Sequence, residues 1–314
     1  MTLSRALRMT LSRALVLALA LSAGIAGCSE KPESAAPARE AAPSPADGAP
    51  RIANSADGVH IEYRVYGRGD PAVVLVHCWS CDSNYWRQQI PQLSSRYTVV
   101  TVDLAGHGAS GRNRTQWTIE GFGDDVAAVV RQIRNRDVVL VGHGMGGPVA
   151  LEAVRHIGDR VIGIIGVDTF KTAGLPPVPP ADLEKQLAAF RTDFIGNTRR
   201  YVSQSLFPPN ADPALVRKTA DDLSLAPPEI AIASIAALNA MDLDGLLSQM
   251  RIPIVAINSE HGGRTDEERI RAIAPGFRAV VLQGTGHFPM LEDPERFTAV
   301  LLEQLGELTG PNRD

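Results

Sequence analysis

Val141-Gly142-His143-Gly144-Met145-Gly146-Gly147 lies between a β-branched run, Asp137 to Val141, and an amphipathic stretch, Gly146 to His156. The run has the length and residue types of a strand buried on both faces. The stretch after it carries apolar residues at helical spacing. Four glycines in seven residues allow a chain reversal between the two, because glycine reaches positive φ without a Cβ clash. The heptapeptide is therefore read as a sharp strand-to-helix turn.

Working outward, the same alternation continues in both directions. Val59 to Tyr66 alternates apolar and polar residues as a half-buried strand does. Ala72 to Val76, Tyr97 to Val102, Val161 to Val167, Ile254 to Ile257 and Ala279 to Leu282 are further short strand-like runs. Helical patterns fall between them at Ser83 to Leu93, Ile119 to Arg134, Asp266 to Ile273 and Asp293 to Leu308. Strands alternating with helices predict an α/β fold: a mostly parallel sheet with helices on both faces. Right-handed crossovers then bring functional residues to the carboxyl ends of the strands. Only Lys171 to Met250 breaks the pattern, with four or five helical stretches, several opened by proline pairs, and no strand run. This segment, about 171–250, is expected to be a helical cap over the strand ends, its leucines and alanines roofing a pocket.

Composition narrows the function classes. The chain has 314 residues, 44% hydrophobic and 21% charged, which is ordinary for a globular protein. A net charge of −4 without basic blocks argues against a nucleic-acid partner. Three cysteines are too few for a disulfide scaffold. The N-terminus reads as an export signal over 1–27: Arg5, Arg8 and Arg13, then an apolar run from Ala14 to Ile25, too short to span a bilayer comfortably. Ile25-Ala26-Gly27-Cys28 resembles the lipobox of bacterial lipoproteins, which implies lipidation of Cys28 and attachment to a membrane of the bacterial envelope. Ser29 after the cysteine resembles the outer-membrane sorting pattern. Three of the 31 basic residues fall within 1–27, which has no acid, leaving 28 against 35 and a net charge of −7. Such a chain is repelled by an anionic surface, so attachment must come from acyl chains. Seven alanines and five prolines among the 22 residues from Ser29 to Pro50 cannot build a core, so 28–50 is read as a tether.

Four motifs then fall in order over residues 51–310. They are Leu75-Val76-His77-Cys78-Trp79, Asp103-Leu104-Ala105-Gly106-His107-Gly108-Ala109-Ser110, the heptapeptide at 141–147, and Gly284-Thr285-Gly286-His287-Phe288 followed by Glu292-Asp293-Pro294. With the cap in its place, the chain resembles the α/β-hydrolase superfamily, in particular its capped, esterase-like serine hydrolases. The resemblance implies an α/β-hydrolase fold, an oxyanion turn after His77, a nucleophile elbow at 141–147 and a general base at His287. It also implies backbone N–H groups of Trp79 and Met145 as the oxyanion hole. For the acid that orients His287, Asp168 at the end of Val161 to Val167 is preferred, and Glu260 is second. His77, Cys78 and His143 are expected beside the substrate. No cofactor is implied.

Two departures fall on the implied site. The family's elbow is G-x-S-x-G, and its middle position here is Gly144. Glycine keeps the turn but carries no atom able to form an acyl-enzyme. The oxyanion turn has Cys78 where the family has glycine. Without a nucleophile, such a unit keeps roughly 10³–10⁴-fold acceleration over water from binding and the oxyanion hole. The expectation is an exported lipoprotein of the ester or acyl hydrolase class with very low turnover. The alternative is a non-catalytic binder holding a small apolar ligand under the cap. Cys78-Trp79-Ser80-Cys81 also has the C-x-x-C spacing of a redox pair, although a passive disulfide or two free thiols fit it too. A metal held by His77, His143, His287 and Cys78 matches no known ligand spacing, and none is expected.

Overall fold

A computed structural model describes residues 47–310. The export signal (1–27), Cys28 and all but the last residues of the tether (28–50) lie outside the described residues. Among the described residues, eight strands form one sheet: β1 (Arg51–Asn54), β2 (His60–Tyr66), β3 (Ala72–Val76), β4 (Thr98–Val102), β5 (Val138–His143), β6 (Val161–Val167), β7 (Ile254–Ser259) and β8 (Phe277–Leu282). Their order is β1-β2-β4-β3-β5-β6-β7-β8. β1 with β2 and β2 with β4 are antiparallel, and all other neighbours are parallel. β3, β4 and β5 are buried along their whole length, as their valine-rich runs require of strands covered on both faces.

The helices are α1 (Ile90–Ser94), α2 (Ile119–Val130), α3 (Gly146–Ile157), α4 (Pro180–Thr192), α5 (Phe194–Tyr201), α6 (Pro213–Ser224), α7 (Pro228–Ala240), α8 (Leu243–Gln249), α9 (Glu267–Ile273), α10 (Pro289–Glu292) and α11 (Pro294–Thr309). α4 to α8 occupy the expected insertion between β6 and β7. Its seams follow local chemistry: Pro180, Pro213 and Pro228 sit in first turns, where the missing N–H costs nothing. Asp193, Asp212 and Asp242 cap α5, α6 and α8 by accepting backbone N–H bonds.

Two expectations are corrected. Ser83 to Leu93 is not one helix but a 3₁₀ turn, Ser83–Trp86, followed by α1. Pro91 has no N–H to continue an earlier helix and so starts a new one. β1 was not foreseen, because a four-residue edge strand with one buried side chain, Ala53, has no readable alternation.

The strand order reverses around β3, which lies between β4 and β5. Chains leaving β3 and β5 therefore diverge, opening a crevice at their carboxyl ends. The oxyanion turn follows β3 and the glycine-rich turn follows β5, so topology brings both to one place.

Candidate active site

The turn after β5 is as tight as its glycines suggest. Gly144 has φ +52°, and a Cβ on Gly142 would lie 2.1 Å from the Gly146 carbonyl oxygen, so that approach is open to glycine alone. The Gly144 N–H donates to Val167 O at 2.9 Å, and Thr169 Oγ1 donates to Gly144 O at 2.9 Å. These bonds tie the apex to the end of β6, which carries Asp168.

Asp168 is itself in the left-handed region at φ +45°, which aspartate tolerates better than most residues. Its Oδ2 accepts the His287 Nδ1–H bond at 2.7 Å. Oδ1 takes three donors: Ser259 N at 2.9 Å, Ser259 Oγ at 2.6 Å and the Lys171 ammonium at 2.6 Å. Burial pushes this carboxyl up, but the bond and charge of His287, together with Lys171, outweigh it and hold the group well below the ordinary carboxylate range. Glu260, the second choice, is exposed, and its Oε2 accepts from Gly284 N at 3.3 Å. Of the two carboxylates, the fold brings Asp168 to His287.

The histidine loop is held at both ends. Glu292 accepts from Gly286 N at 2.8 Å and Phe288 N at 3.0 Å. From the cap side, Leu206 O accepts the His287 N–H at 2.7 Å, and Phe207 stacks on Phe288 with ring centroids 5.3 Å apart. His287 then points its free edge at the apex: a Cβ built on Gly144 would lie 2.9 Å from His287 Nε2. A side chain at 144 would be the next link in the Asp168–His287 chain.

The oxyanion turn packs against the same point. Cys78 Cβ is 3.3 Å from that Cβ position, and Cys78 and Cys81 are joined by a disulfide with Cα atoms 5.3 Å apart. Among the described residues, the Trp79 and Met145 amides have no hydrogen-bond partner, which leaves both for an oxyanion. The Trp79 indole N–H donates to Ala231 O of α7 at 2.7 Å, and its ring meets Phe190, Phe194 and Tyr201 edge-on. The cap thus fixes the oxyanion turn through an aromatic cluster.

Two residues expected at the substrate are placed elsewhere. His77 is fully buried, with both ring nitrogens used: Nδ1 donates to Cys78 O at 2.8 Å, and Nε2 accepts from Leu104 N at 3.0 Å. His143 is also fully buried, its Nε2 donating to His287 O at 2.7 Å beneath the His287 ring. Burial lowers the pKa of both, so they are neutral props of the turn and the histidine loop. Asp103 plays a similar part in its motif, accepting from Ser83 N at 2.8 Å and Ala109 N at 2.9 Å. Lys171, Ser259 and Glu292 were not assigned roles from the sequence. Lys171 lies only three positions after Asp168, whereas Ser259 reaches it solely because β6 pairs with β7.

Cys78 Sγ, a His143 nitrogen and a His287 nitrogen lie within 4.8 Å of one another. The sulfur is committed to the disulfide, and each imidazole has one nitrogen in a hydrogen bond. That donor set does not fit a resident metal. Beside the site, on the Cys81 flank of the disulfide, is a cavity of about 500 Å³. Leu215, Leu225, Pro227 and Leu291 line part of it. Ser80 Oγ, Tyr85 OH and His107 Nε2, on three other lining residues, are buried without hydrogen-bond partners.

Comparison with known proteins agrees with this fold. A pimeloyl-[acyl-carrier protein] methyl ester esterase of Methylococcus capsulatus is 29% identical over 248 residues, 76% of this chain and 95% of that protein. A thermophilic esterase from Thermogutta terrifontis is 25% identical with a TM-score of 0.72, covering 83% of this chain and all of that one. An enol-lactonase from Burkholderia xenovorans shares the fold, with a TM-score of 0.71 at 21% identity over 81% of this chain and 99% of its own. The alpha/beta hydrolase family model matches residues 73–300, from β3 into the last helix. That match covers every strand but the two at the antiparallel edge, and the chain belongs to the alpha/beta hydrolase family.

Proposed function

We propose that this chain is an envelope lipoprotein whose site takes a small carboxylic ester and, with its disulfide closed, holds that ester without turning it over efficiently. The observation that carries the reading is the Asp168–His287 couple, aimed at 2.9 Å toward a Cβ position that Gly144 leaves empty. His287 is oriented as a base: Asp168 Oδ2 accepts from its Nδ1 and leaves Nε2 facing the empty position. The Trp79 and Met145 amides remain to receive a carbonyl oxygen. The missing part is an atom that bonds to the carbonyl carbon. Relatives named as methyl ester esterases favour a carboxylic ester as the ligand class.

The test is turnover of p-nitrophenyl butyrate by the oxidised protein and by Gly144→Ser. The oxidised wild type is expected near background. The variant is expected to gain roughly 10²-fold or more, because it completes a Ser-His-Asp unit already in position. Loss of that gain on adding His287→Ala would tie it to the couple. A Gly144→Ser protein that folds but stays at background would show that the site has drifted from ester chemistry.

Export and anchoring belong to the same proposal. Their support is the charged, apolar and small-residue order of 1–27 ending at Cys28. Cells fed labelled palmitate should label the wild-type protein but not Cys28→Ala. Equal labelling of both would refute the anchor.

A further inference from the structure

The two departures from the family pattern are neighbours in space. Position 144 has no side chain, and position 78, whose Cβ is 3.3 Å from the missing one, carries a sulfur. That sulfur lies within 4.8 Å of a ring nitrogen of His287. Glycine at 144 leaves the space between the sulfur and the imidazole open. We propose that reduction of the Cys78–Cys81 disulfide switches the site on, with the Cys78 thiolate replacing the absent serine as nucleophile. This rests on the reading of the site as one that binds a carboxylic ester.

The placement of the two sulfurs gives the reduction a direction. Cys81, not Cys78, is among the residues lining the 500 Å³ cavity. A dithiol entering there attacks Cys81 Sγ, and Cys78 Sγ leaves as a thiolate beside His287. A leaving thiol stabilised as its anion departs faster. The second thiol of the reductant then displaces Cys81, so one dithiol becomes one disulfide and the protein gains two thiols. The proton of the Cys78 thiol passes to His287 Nε2, while Asp168 Oδ2 accepts from His287 Nδ1 and fixes the ring for that transfer.

The acyl steps balance without further reagents. Cys78 Sγ bonds to the ester carbonyl carbon, the carbon–oxygen bond to the alcohol breaks, and the alcohol leaves with the His287 proton. Water gives a proton to His287 as its oxygen attacks the thioester, and Cys78 departs as the thiolate. One ester and one water become one acid and one alcohol, with the sulfur unchanged.

The experiment uses Cys81→Ser, which frees Cys78 without a reductant. The substrate is p-nitrophenyl butyrate at pH 7, with the oxidised wild type, dithiothreitol-reduced and desalted wild type, and oxidised Gly144→Ser run alongside. Cys81→Ser and reduced wild type should exceed oxidised wild type by about 10²-fold or more, the scale of a positioned base acting on a thiol. Acid quenching during turnover should trap a butyryl group on Cys78, and adding His287→Ala should remove both effects. Turnover by Gly144→Ser with none by Cys81→Ser overturns the thiol role and leaves the ester site standing. If neither variant acts, the ester reading itself falls. A second readout is independent of substrate fit: iodoacetamide should alkylate Cys78 in Cys81→Ser about 10-fold faster than in Cys81→Ser/His287→Ala at pH 7. Equal rates overturn the pairing of Cys78 with His287.

Discussion

At the scale of residues, Gly144 is a conformational convenience and a chemical loss. Its φ of +52° suits glycine, whereas an L side chain there costs about 1–2 kcal/mol. A Cβ would also press on His287 Nε2 at 2.9 Å, and the imidazole must give by a few tenths of an ångström to admit it. Gly144→Ser should therefore gain activity while losing about 1–2 kcal/mol of stability, read as a lower urea midpoint at unchanged slope. A variant as stable as the wild type would mean that the turn is not strained by a side chain. The sequence showed this position clearly, because the motif around it marks the slot that glycine fills. It did not show that His77 and His143 face inward. A histidine in a motif carries no sign of which backbone carbonyl will take its proton, and only the packed turn decides that.

At the scale of elements, strand runs were legible where both faces are buried. Ala72 to Val76 and Val161 to Val167 match β3 and β6 to the residue, because continuous β-branched runs have sharp polar borders. Edge strand β1 and the broken helix after Ser83 were not legible, since each depends on a partner or on one proline. A buried ion pair was equally hidden. Arg114 reaches Asp57 in the β1–β2 turn at 2.7 Å and Asp125 on α2 at 2.5 Å, with side chains 3% exposed for Arg114 and 0% for Asp125. Asp125 also accepts from Ser55 Oγ at 2.5 Å and Ala105 N at 3.0 Å. The hairpin, the loop after β4 and α2 are thus fastened at one carboxylate. Arg114→Met leaves that charge buried and unpaired, and should cost roughly 3–5 kcal/mol in urea unfolding. Adding Asp125→Asn should recover part of the loss. A single variant within 1 kcal/mol of wild type, on the scale of an exposed pair, would show that the network is not a fastening.

At the scale of the whole molecule, the same sheet that builds the site sets its response to acid. His77, His107 and His143 are buried and neutral, each with its pKa lowered by burial, His107 to about 3 from an ordinary 6.5. Between those two values the unfolded chain binds protons that the folded chain refuses, so stability rises with pH across that window. It is fully present above about pH 6.5 and is lost as pH falls toward 3. The Asp168 carboxyl, held low by His287 and Lys171 against its burial, adds to the loss below about pH 4. Urea midpoints should therefore drop between pH 7 and pH 4, and a flat profile would contradict neutral burial of these rings. The alternation of strands and helices made the overall fold readable from the sequence. The convergence of Asp168, His287 and Cys78 was readable only in part, since residues 90 to 209 positions apart meet through strand order rather than through any local signal.

The most direct measurement is the intact mass of the oxidised protein after treatment with a fluorophosphonate probe, beside that of Gly144→Ser. The wild type should gain no adduct, and the variant should gain one, on the peptide spanning 141–147. An adduct on the wild-type turn, or none on a folded variant, would contradict an intact base and orienting acid facing a missing nucleophile.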